Sequence, residues 1–241
     1  MKTYKARGVV LNTVKYGDSG LIVYLYTNVF GRQTYMVKGV RSSRGKGNKA
    51  ALFQPMFLLE FEGSEPRYGQ MHHMKDVVPF VTLSSLPFDV RKSTMALFMA
   101  EVVYRLIRES EPDENLFNFI SKSVISLDKQ TEGIANFHLW FLVGLTQFLG
   151  FYPGNEYTAG YIFDIIKGLF VTRVPEHGMF MPENDSRLLG VLMDAEMSRL
   201  SEIRLSRTER VSFLNSLLLF IGYHADSVNS VKSVDILREV F

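Results

Sequence analysis

The chain has 241 residues, of which 46% are hydrophobic and 13% aromatic, so it can build a sizeable core and is not a disordered tail. It contains no cysteine, which excludes disulfides, thiolate metal sites and a cysteine nucleophile. The formal net charge of +2 hides an asymmetry, because residues 1–80 carry 12 Lys and Arg against 5 Asp and Glu, whereas residues 81–241 carry 15 against 20.

The first part of the chain has the pattern of short β-strands separated by turns. Apolar and β-branched residues predict strands over residues 8–15, 21–27, 32–40, 53–62 and 68–76, with glycine-containing turns at 16–20, 30–31 and 63–66. Five strands in this length predict an OB-fold barrel over residues 1–80, an architecture that often binds oligonucleotides.

After Pro79 the hydrophobic period changes from about 2 to about 3.6 residues, which predicts an α-helical domain over residues 81–241. Helices are expected over 89–110, from Pro112 onward, over 133–149 and over 211–223, the last preceded by a capping box from Ser206 to Glu209. Residues 154–182, rich in glycine and aromatics, are expected to be irregular. The predicted fold class is therefore α+β, a five-stranded OB-fold barrel followed by an α-helical domain.

The predicted barrel carries an unbalanced set of cations. Between Ser19 and Leu59 there is no Asp or Glu. Cations next to aromatic-rich strands can neutralise phosphates while rings stack on unpaired bases, whereas the alternative is a solvated charged loop. The predicted DNA-binding residues are Arg32, Lys38, Arg41, Arg44, Lys46 and Lys49.

Six aromatic residues of the predicted strands can either pack in the barrel core or contact a ligand. Most are expected in the core, and any that remain exposed are candidates for stacking on a base. They are Tyr24, Tyr26, Tyr35, Phe53, Phe57 and Phe61.

Motifs of catalysis and metal binding are missing from the sequence. There is no GxxxxGK[ST], GxSxG or HExxH pattern. His72 and His73 would point to opposite faces of a strand, and His138, His177 and His224 are each interpreted as structural. We therefore expect no metal, no cofactor and no enzymatic activity.

Short motifs in order along the chain resemble the bacterial recombination mediator family RecO. They are the YGDS turn at 16–19, KGVR at 38–41, Gln54-Pro55, Ala100-Glu101, Pro112, Leu116-Phe117, LGF at 149–151 followed by Pro153, and His224 with Lys232-Ser233 and Leu237. The resemblance covers almost the whole chain.

The resemblance implies a non-enzymatic role in DNA repair and recombination. RecO proteins bind single- and double-stranded DNA, anneal complementary strands, and work with RecR to load RecA onto DNA covered by single-strand binding protein (SSB). A receptor for the acidic SSB tail needs a cation beside an apolar pocket. The candidates for that contact are Lys122, Arg199, Arg204, Lys232 and Arg238. A cytoplasmic, nucleoid-associated location is expected, since residues 1–10 have no signal-peptide pattern and polar residues interrupt the apolar run 134–152.

Two features depart from the family pattern. Many RecO proteins carry four zinc-binding cysteines after the segment corresponding to Leu149–Pro153, but residues 154–182 contain none, so a cluster of aromatic and aliphatic side chains is expected to replace the metal. Residues 133–149 contain no Lys or Arg, so basic contacts to the SSB tail cannot be carried over there. The expected replacement cluster is Tyr157, Tyr161, Phe163, Ile165 and Phe170.

Two other functions stay open at this point. One is an OB-fold RNA-binding or translation-associated protein with a helical appendage. The other is an enzyme whose acidic helical half acts on a basic substrate.

Overall fold

A computed structural model describes residues 3–40, 49–65, 71–108, 111–225 and 231–241. The chain divides into two compact units, Met1–Lys129 and Gln130–Phe241. The last barrel strand ends at Pro79 and the first helix begins at Val90, so the change from strands to helices lies near the predicted boundary. The boundary between compact units, however, lies about fifty residues later than residue 80.

Five strands of the first unit form a closed barrel, which confirms the predicted OB-fold. They pair in the order β1-β2-β3-β5-β4, with β1 also joined to β4, and all pairs are antiparallel except β3 with β5. The strands are β1 (Thr3–Tyr16), β2 (Gly20–Thr27), β3 (Gly31–Val37), β4 (Leu58–Ser64) and β5 (His72–Pro79).

Strand β1 closes the barrel because it pairs with two neighbours in succession. Its first half pairs with β4, from Thr3 to Val9, and its second half pairs with β2, from Gly8 to Tyr16. The register with β2 shifts between Val10 and Asn12. Such a bulge bends a strand and increases its twist, which allows one strand to serve both sides of the barrel.

The fourth strand begins later than the sequence predicted. Residues Lys49–Phe53 form a 3-10 turn, and the strand starts only at Leu58. Pro55 cannot donate to a strand ladder, and Met56 has a φ of 65°. Phe53 is nevertheless buried, as are Tyr26, Tyr35 and Phe61, whereas Tyr24 and Phe57 are half-buried.

Two helices, α1 (Val90–Leu106) and α2 (Glu114–Lys129), belong to the barrel's compact unit. The Asp128 carboxylate accepts the backbone N–H groups of Ser84, Ser85 and Leu86 at 2.9, 2.8 and 2.7 Å. Burial alone would raise the pKa of Asp128, but these hydrogen bonds outweigh it and lower that pKa. The buried Lys92 ammonium donates to the Asp128 carbonyl at 2.7 Å. This network joins the segment after the barrel to both helices within the first unit.

The second unit consists mainly of helices. The capping box before α5 is confirmed, since Ser206 and Glu209 cap each other's backbone N–H groups. Helices α4 and α6 were not predicted. The helices are α3 (Phe137–Phe148), α4 (Glu183–Met193), α5 (Arg207–His224) and α6 (Ser233–Val240).

The segment 154–182 contains a hairpin where the sequence predicted irregular structure. Strands β6 (Ile162–Asp164) and β7 (Leu169–Val171) pair antiparallel. Strands of three residues are too short to show an alternating pattern, which is why the sequence concealed them. Phe163, Ile165 and Phe170 are buried, and the ring centroids of Phe163 and Phe170 lie 5.1 Å apart.

A buried carboxylate organises the same hairpin. Asp164 accepts the backbone N–H groups of Ile166 and Lys167, both at 3.0 Å, and the Nε2 of His177 lies 3.2 Å from its second oxygen. The Nδ1 of His177 accepts the N–H of Met179, so Nε2 carries the proton that it donates to Asp164. Burial would raise the pKa of Asp164, but these bonds lower it. Apolar packing and this polar network together hold the segment.

Candidate nucleic-acid interface

One side of the barrel has its charges paired. On the surface formed by β1, β4 and β5, Arg7 lies 3.0 Å from Glu60, and Lys75 lies 2.9 Å from Glu62. These pairs are exposed and add little stability, but they leave this side nearly neutral. It offers no concentrated positive field to a phosphate backbone.

The surface of β2 and β3 is different, because these strands contain no acidic residue. A row of directly opposed residues crosses it: Val14 pairs with Ile22, Ile22 with Met36, and Met36 with His73. Opposed residues share a face, and the neighbours Leu21, Val23, Tyr35 and Val37 are in the barrel core. The row therefore points outward. Val14 is 47% exposed and the other three are half-buried.

A second outward row lies beside the first. Asn12 pairs with Tyr24, and Tyr24 pairs with Thr34. The Tyr24 ring meets the Tyr104 ring of α1 edge to face, with centroids 5.1 Å apart. Helix α1 thus borders this surface at the second row, while the end with Val14 is open.

The open end of the surface carries an exposed ring and has charged residues beside it. Tyr16, at the β1–β2 turn, is 48% exposed, and it lies on the same face of β1 as Val14. Lys15 is also exposed, but it pairs with Leu21 and lies on the other face of β1, and the turn carries the exposed Asp18. Two of the predicted DNA-binding residues, Lys38 and Lys49, are exposed on either side of residues 41–48. The predicted residues Arg41, Arg44 and Lys46 lie outside the described residues, so their part in binding stays a prediction. Sequence reasoning missed Val14 and Tyr16, although their alternation with Lys15 was a usable signal.

Arg32 has a role inside the fold. One guanidinium nitrogen donates to the carbonyls of Tyr104 and Ile107 at 2.8 and 3.1 Å. Its guanidinium carbon lies 4.2 Å from the centroid of the Tyr104 ring. A cation at the end of α1 satisfies carbonyls that the helix leaves without partners and complements its dipole. Alternation along β3 could not reveal this contact, and DNA binding by Arg32 stays a prediction.

The polar cluster where β3 meets β5 is uncharged. The Tyr4 hydroxyl lies 2.8 Å from Nδ1 of His72 and 3.2 Å from the Tyr35 hydroxyl. Burial raises the pKa of Tyr35 far above its usual value, and it lowers the pKa of His72. Both shifts favour the neutral forms. Among the described residues, no three His, Asp or Glu side chains are grouped to hold a metal ion.

The predicted partner-binding cations separate in the structure. Arg199 and Arg204 line one groove of about 530 Å³ in the second unit, together with Arg187 and the apolar side chains of Leu188, Val191 and Leu205. The acidic residues Asp194, Glu196 and Glu202 line it as well, so the groove has no excess of positive charge. Glu202 lies 2.7 Å from Arg199 and neutralises it, which leaves Arg187 and Arg204 as the groove's candidate cations. Cations beside apolar side chains fit an acidic peptide with an apolar end.

The other three candidates lie elsewhere. Lys122 is an exposed residue of α2 in the first unit. Lys232 and Arg238 belong to the second unit but do not line the groove, and Arg238 pairs with Asp235 at 3.3 Å. The structure thus brings Arg199 and Arg204 together but not the other three, and tail binding by each of the five stays a prediction.

None of the described helices is both long and apolar enough to cross a membrane.

Family models match nearly the whole chain: the model described as recombination protein O N terminal matches residues 1–80, and the model described as recombination protein O C terminal matches residues 87–233. Curated proteins named DNA repair protein RecO are similar over almost their full length. Those of Phocaeicola vulgatus, Bacteroides fragilis and Flavobacterium psychrophilum are 34%, 35% and 33% identical, with 98% of this chain and 98% of each relative covered.

Proposed function

Because this chain belongs to the RecO family of DNA repair proteins, we propose that it binds single- and double-stranded DNA and anneals complementary strands. The observation that carries the proposal is the outward surface of β2 and β3, whose strands contain no acidic residue and after which the exposed Lys38 directly follows. An OB-fold uses this surface and its bordering loops to bind oligonucleotides. The same comparisons do not favour a general RNA-binding protein.

In this proposal the surface binds DNA through two kinds of contact, charged contacts to phosphates and apolar contacts to bases. Lys15, Lys38 and Lys49 can neutralise phosphates without regard to sequence. Tyr16 and the row from Val14 to His73 offer an aromatic ring and apolar atoms to unpaired bases. A DNA strand held in this way keeps the edges of its bases accessible to a complementary DNA strand, as annealing requires.

We propose further that the protein acts by binding rather than by catalysis, in the cytoplasm and at the nucleoid. In this proposal it works with RecR to help load RecA onto DNA covered by SSB. The groove lined by Arg187 and Arg204 is the proposed receptor for the acidic SSB tail, because these two exposed arginines lie next to apolar side chains. Asp194 and Glu196 line the same groove, so the proposed contact depends on the two arginines and not on a net positive charge of the groove.

Annealing of complementary oligonucleotides covered with SSB tests the central proposal. The full chain should accelerate annealing, and it should do so less well when SSB lacks its acidic tail. Lys15→Glu combined with Lys38→Glu should reduce the rate. The matched control, Lys129→Glu on α2 with Arg173→Glu, makes the same change in net charge away from the barrel strands. Equal loss in both variants would point to net charge instead, and no acceleration by the wild-type protein would refute the proposal.

The tail receptor is tested by titrating the full chain with a fluorescent SSB tail peptide. Arg204→Glu should weaken binding because it places a like charge beside an acidic ligand. Arg173→Glu is the matched control, since Arg173 is an exposed arginine of the same unit that does not line the groove. Equal affinity for both variants would place the tail elsewhere.

A further inference from the structure

A small cavity lies in the first unit, between the bulge of β1 and helix α1. Its volume is about 200 Å³. Val10 and Leu11 of the bulge, Phe53 and Pro55 form one wall, and Leu97 of α1 faces them. This volume is below the roughly 300–1,000 Å³ of pockets for drug-sized ligands, so it suits a single ring system.

The rim of the cavity is polar. Asn12 and Thr13 contribute an amide and a hydroxyl on the barrel side. Oδ1 of Asn12 accepts the N–H of Thr13 at 2.9 Å, and Nδ2 of Asn12 makes no hydrogen bond within the described residues. On the helix side, Arg105 and Glu101 form an ion pair at 2.8 Å, so the rim presents hydrogen-bonding groups without a net charge.

The cavity is continuous with the proposed DNA surface. Asn12, on its rim, is directly opposite Tyr24, which is directly opposite Thr34 on β3. Tyr104 lines the cavity and also contacts the Tyr24 ring. The cavity therefore lies beside the end of this row on β1, next to the proposed DNA surface.

We infer that this cavity receives one unpaired nucleobase from a bound single strand. The inference rests on the proposed function. An apolar interior with an aromatic side chain suits the faces of a base, and the amide and hydroxyl of the rim suit its hydrogen-bonding edge. A base paired within a duplex cannot enter, so the cavity favours single strands over double strands and holds one base out of the stack.

Filling the cavity tests the inference. Leu97 is 37% exposed, so the added ring of Leu97→Trp can occupy the cavity. The matched control is Leu219→Trp, because Leu219 is 49% exposed on a helix of the other unit. Affinities of the full-length variants are measured for oligothymidine, for an abasic oligomer of equal length and for a duplex.

We expect Leu97→Trp to weaken oligothymidine binding roughly fivefold or more, the effect of losing one stacked base. Affinity for the abasic oligomer and the duplex should be unchanged, as should the salt dependence, because phosphate contacts are retained. Leu219→Trp should match the wild type in all three. If Leu97→Trp binds oligothymidine like the wild type, the inference is wrong. If the wild type binds none of the three, the proposed function itself fails, and the inference fails with it.

A second measurement uses the wild-type protein and does not depend on the folding of a variant. Oligothymidine containing iododeoxyuridine is photocrosslinked to the protein, and the attachment sites are mapped by mass spectrometry. A base in the cavity should attach to Tyr104 or to the neighbouring residues of the wall. Crosslinks confined to the open end of the strand surface, such as Tyr16, would overturn the inference while leaving DNA binding in place.

Discussion

His138 makes the second unit sensitive to acid. It is buried in α3, and burial, followed by the charge of Arg210, lowers the pKa of His138 to about 3. In the unfolded chain the imidazole has a pKa of about 6.5, so the unfolded chain binds the proton more readily. Above about pH 6.5 the imidazole is neutral in both states and protonation costs no stability. As the pH falls from there toward 3, only the unfolded chain binds the proton, and the free energy of unfolding falls by about 1.4 kcal/mol per pH unit.

The expected loss between pH 7 and pH 5 is about 2 kcal/mol. Carboxylates with lowered pKa values, such as Asp128 and Asp164, contribute only at lower pH, because their unfolded forms titrate near about 3.9. His138→Leu removes the titrating group. This variant should lose clearly less stability than the wild type over the same interval, whatever its stability at neutral pH. A smaller loss remains in both proteins, because burial also lowers the pKa of His72 in the first unit.

Urea denaturation followed by tryptophan fluorescence measures this loss of stability in the second unit, which contains His138. Trp140 is the chain's one tryptophan, it lies on α3, and its indole N–H donates to the carbonyl of Ala195 at 3.0 Å. The control His73→Leu replaces an imidazole of the other unit, so the fluorescence of Trp140 should report the wild-type change between the two pH values. Equal losses in wild type and His138→Leu between the two pH values would show that the reasoning is wrong.

Three further substitutions test individual contacts. Arg32→Ala should lower the free energy of unfolding by about 2 kcal/mol, because the carbonyls at the end of α1 lose their partner. The control Lys38→Ala changes an exposed residue and should alter that free energy by at most about 0.5 kcal/mol. Equal thermal melting curves for the two variants would contradict this. Asp164→Ala should cost about 3 kcal/mol, since it leaves buried N–H donors unpaired, and a cost below about 0.5 kcal/mol in urea denaturation would refute the role of that carboxylate. Ser206→Ala should cost about 1 kcal/mol through loss of the capping box, and an unchanged melting temperature would speak against it.

Local patterns were sufficient to predict the barrel. Alternation and turn residues located all five strands, although Pro55 and Met56 delayed the start of the fourth. The cap of α5 was readable because its two residues are three positions apart. Helix α4 could not be predicted from the sequence, because Gly190 lies within it and glycine normally disfavours a helix. A Cβ there would come within 2.4 Å of the Tyr157 side chain, a packing constraint that only the fold reveals.

The candidate site was only partly predictable, for a physical reason. Charge along the chain identified the strands without acids, but it could not show that the end of α1 lies against Arg32. Nor could it show that Asn12 and Tyr104, 92 positions apart, line one cavity. Both facts depend on contacts between a strand and a distant helix, which no local pattern encodes.

The salt dependence of single-strand binding tests DNA binding by the basic segment most directly. Replacing Arg41, Arg44 and Lys46 together with alanine should weaken binding to every sequence alike and flatten the slope of log K against log salt by about 2, if each side chain contacts a phosphate. The control replaces the exposed cations Lys122, Lys129 and Arg173, which lie outside the barrel strands, and it should keep the wild-type slope. An unchanged affinity and slope in the first variant, with the fold intact, would contradict the proposed DNA contact of this segment.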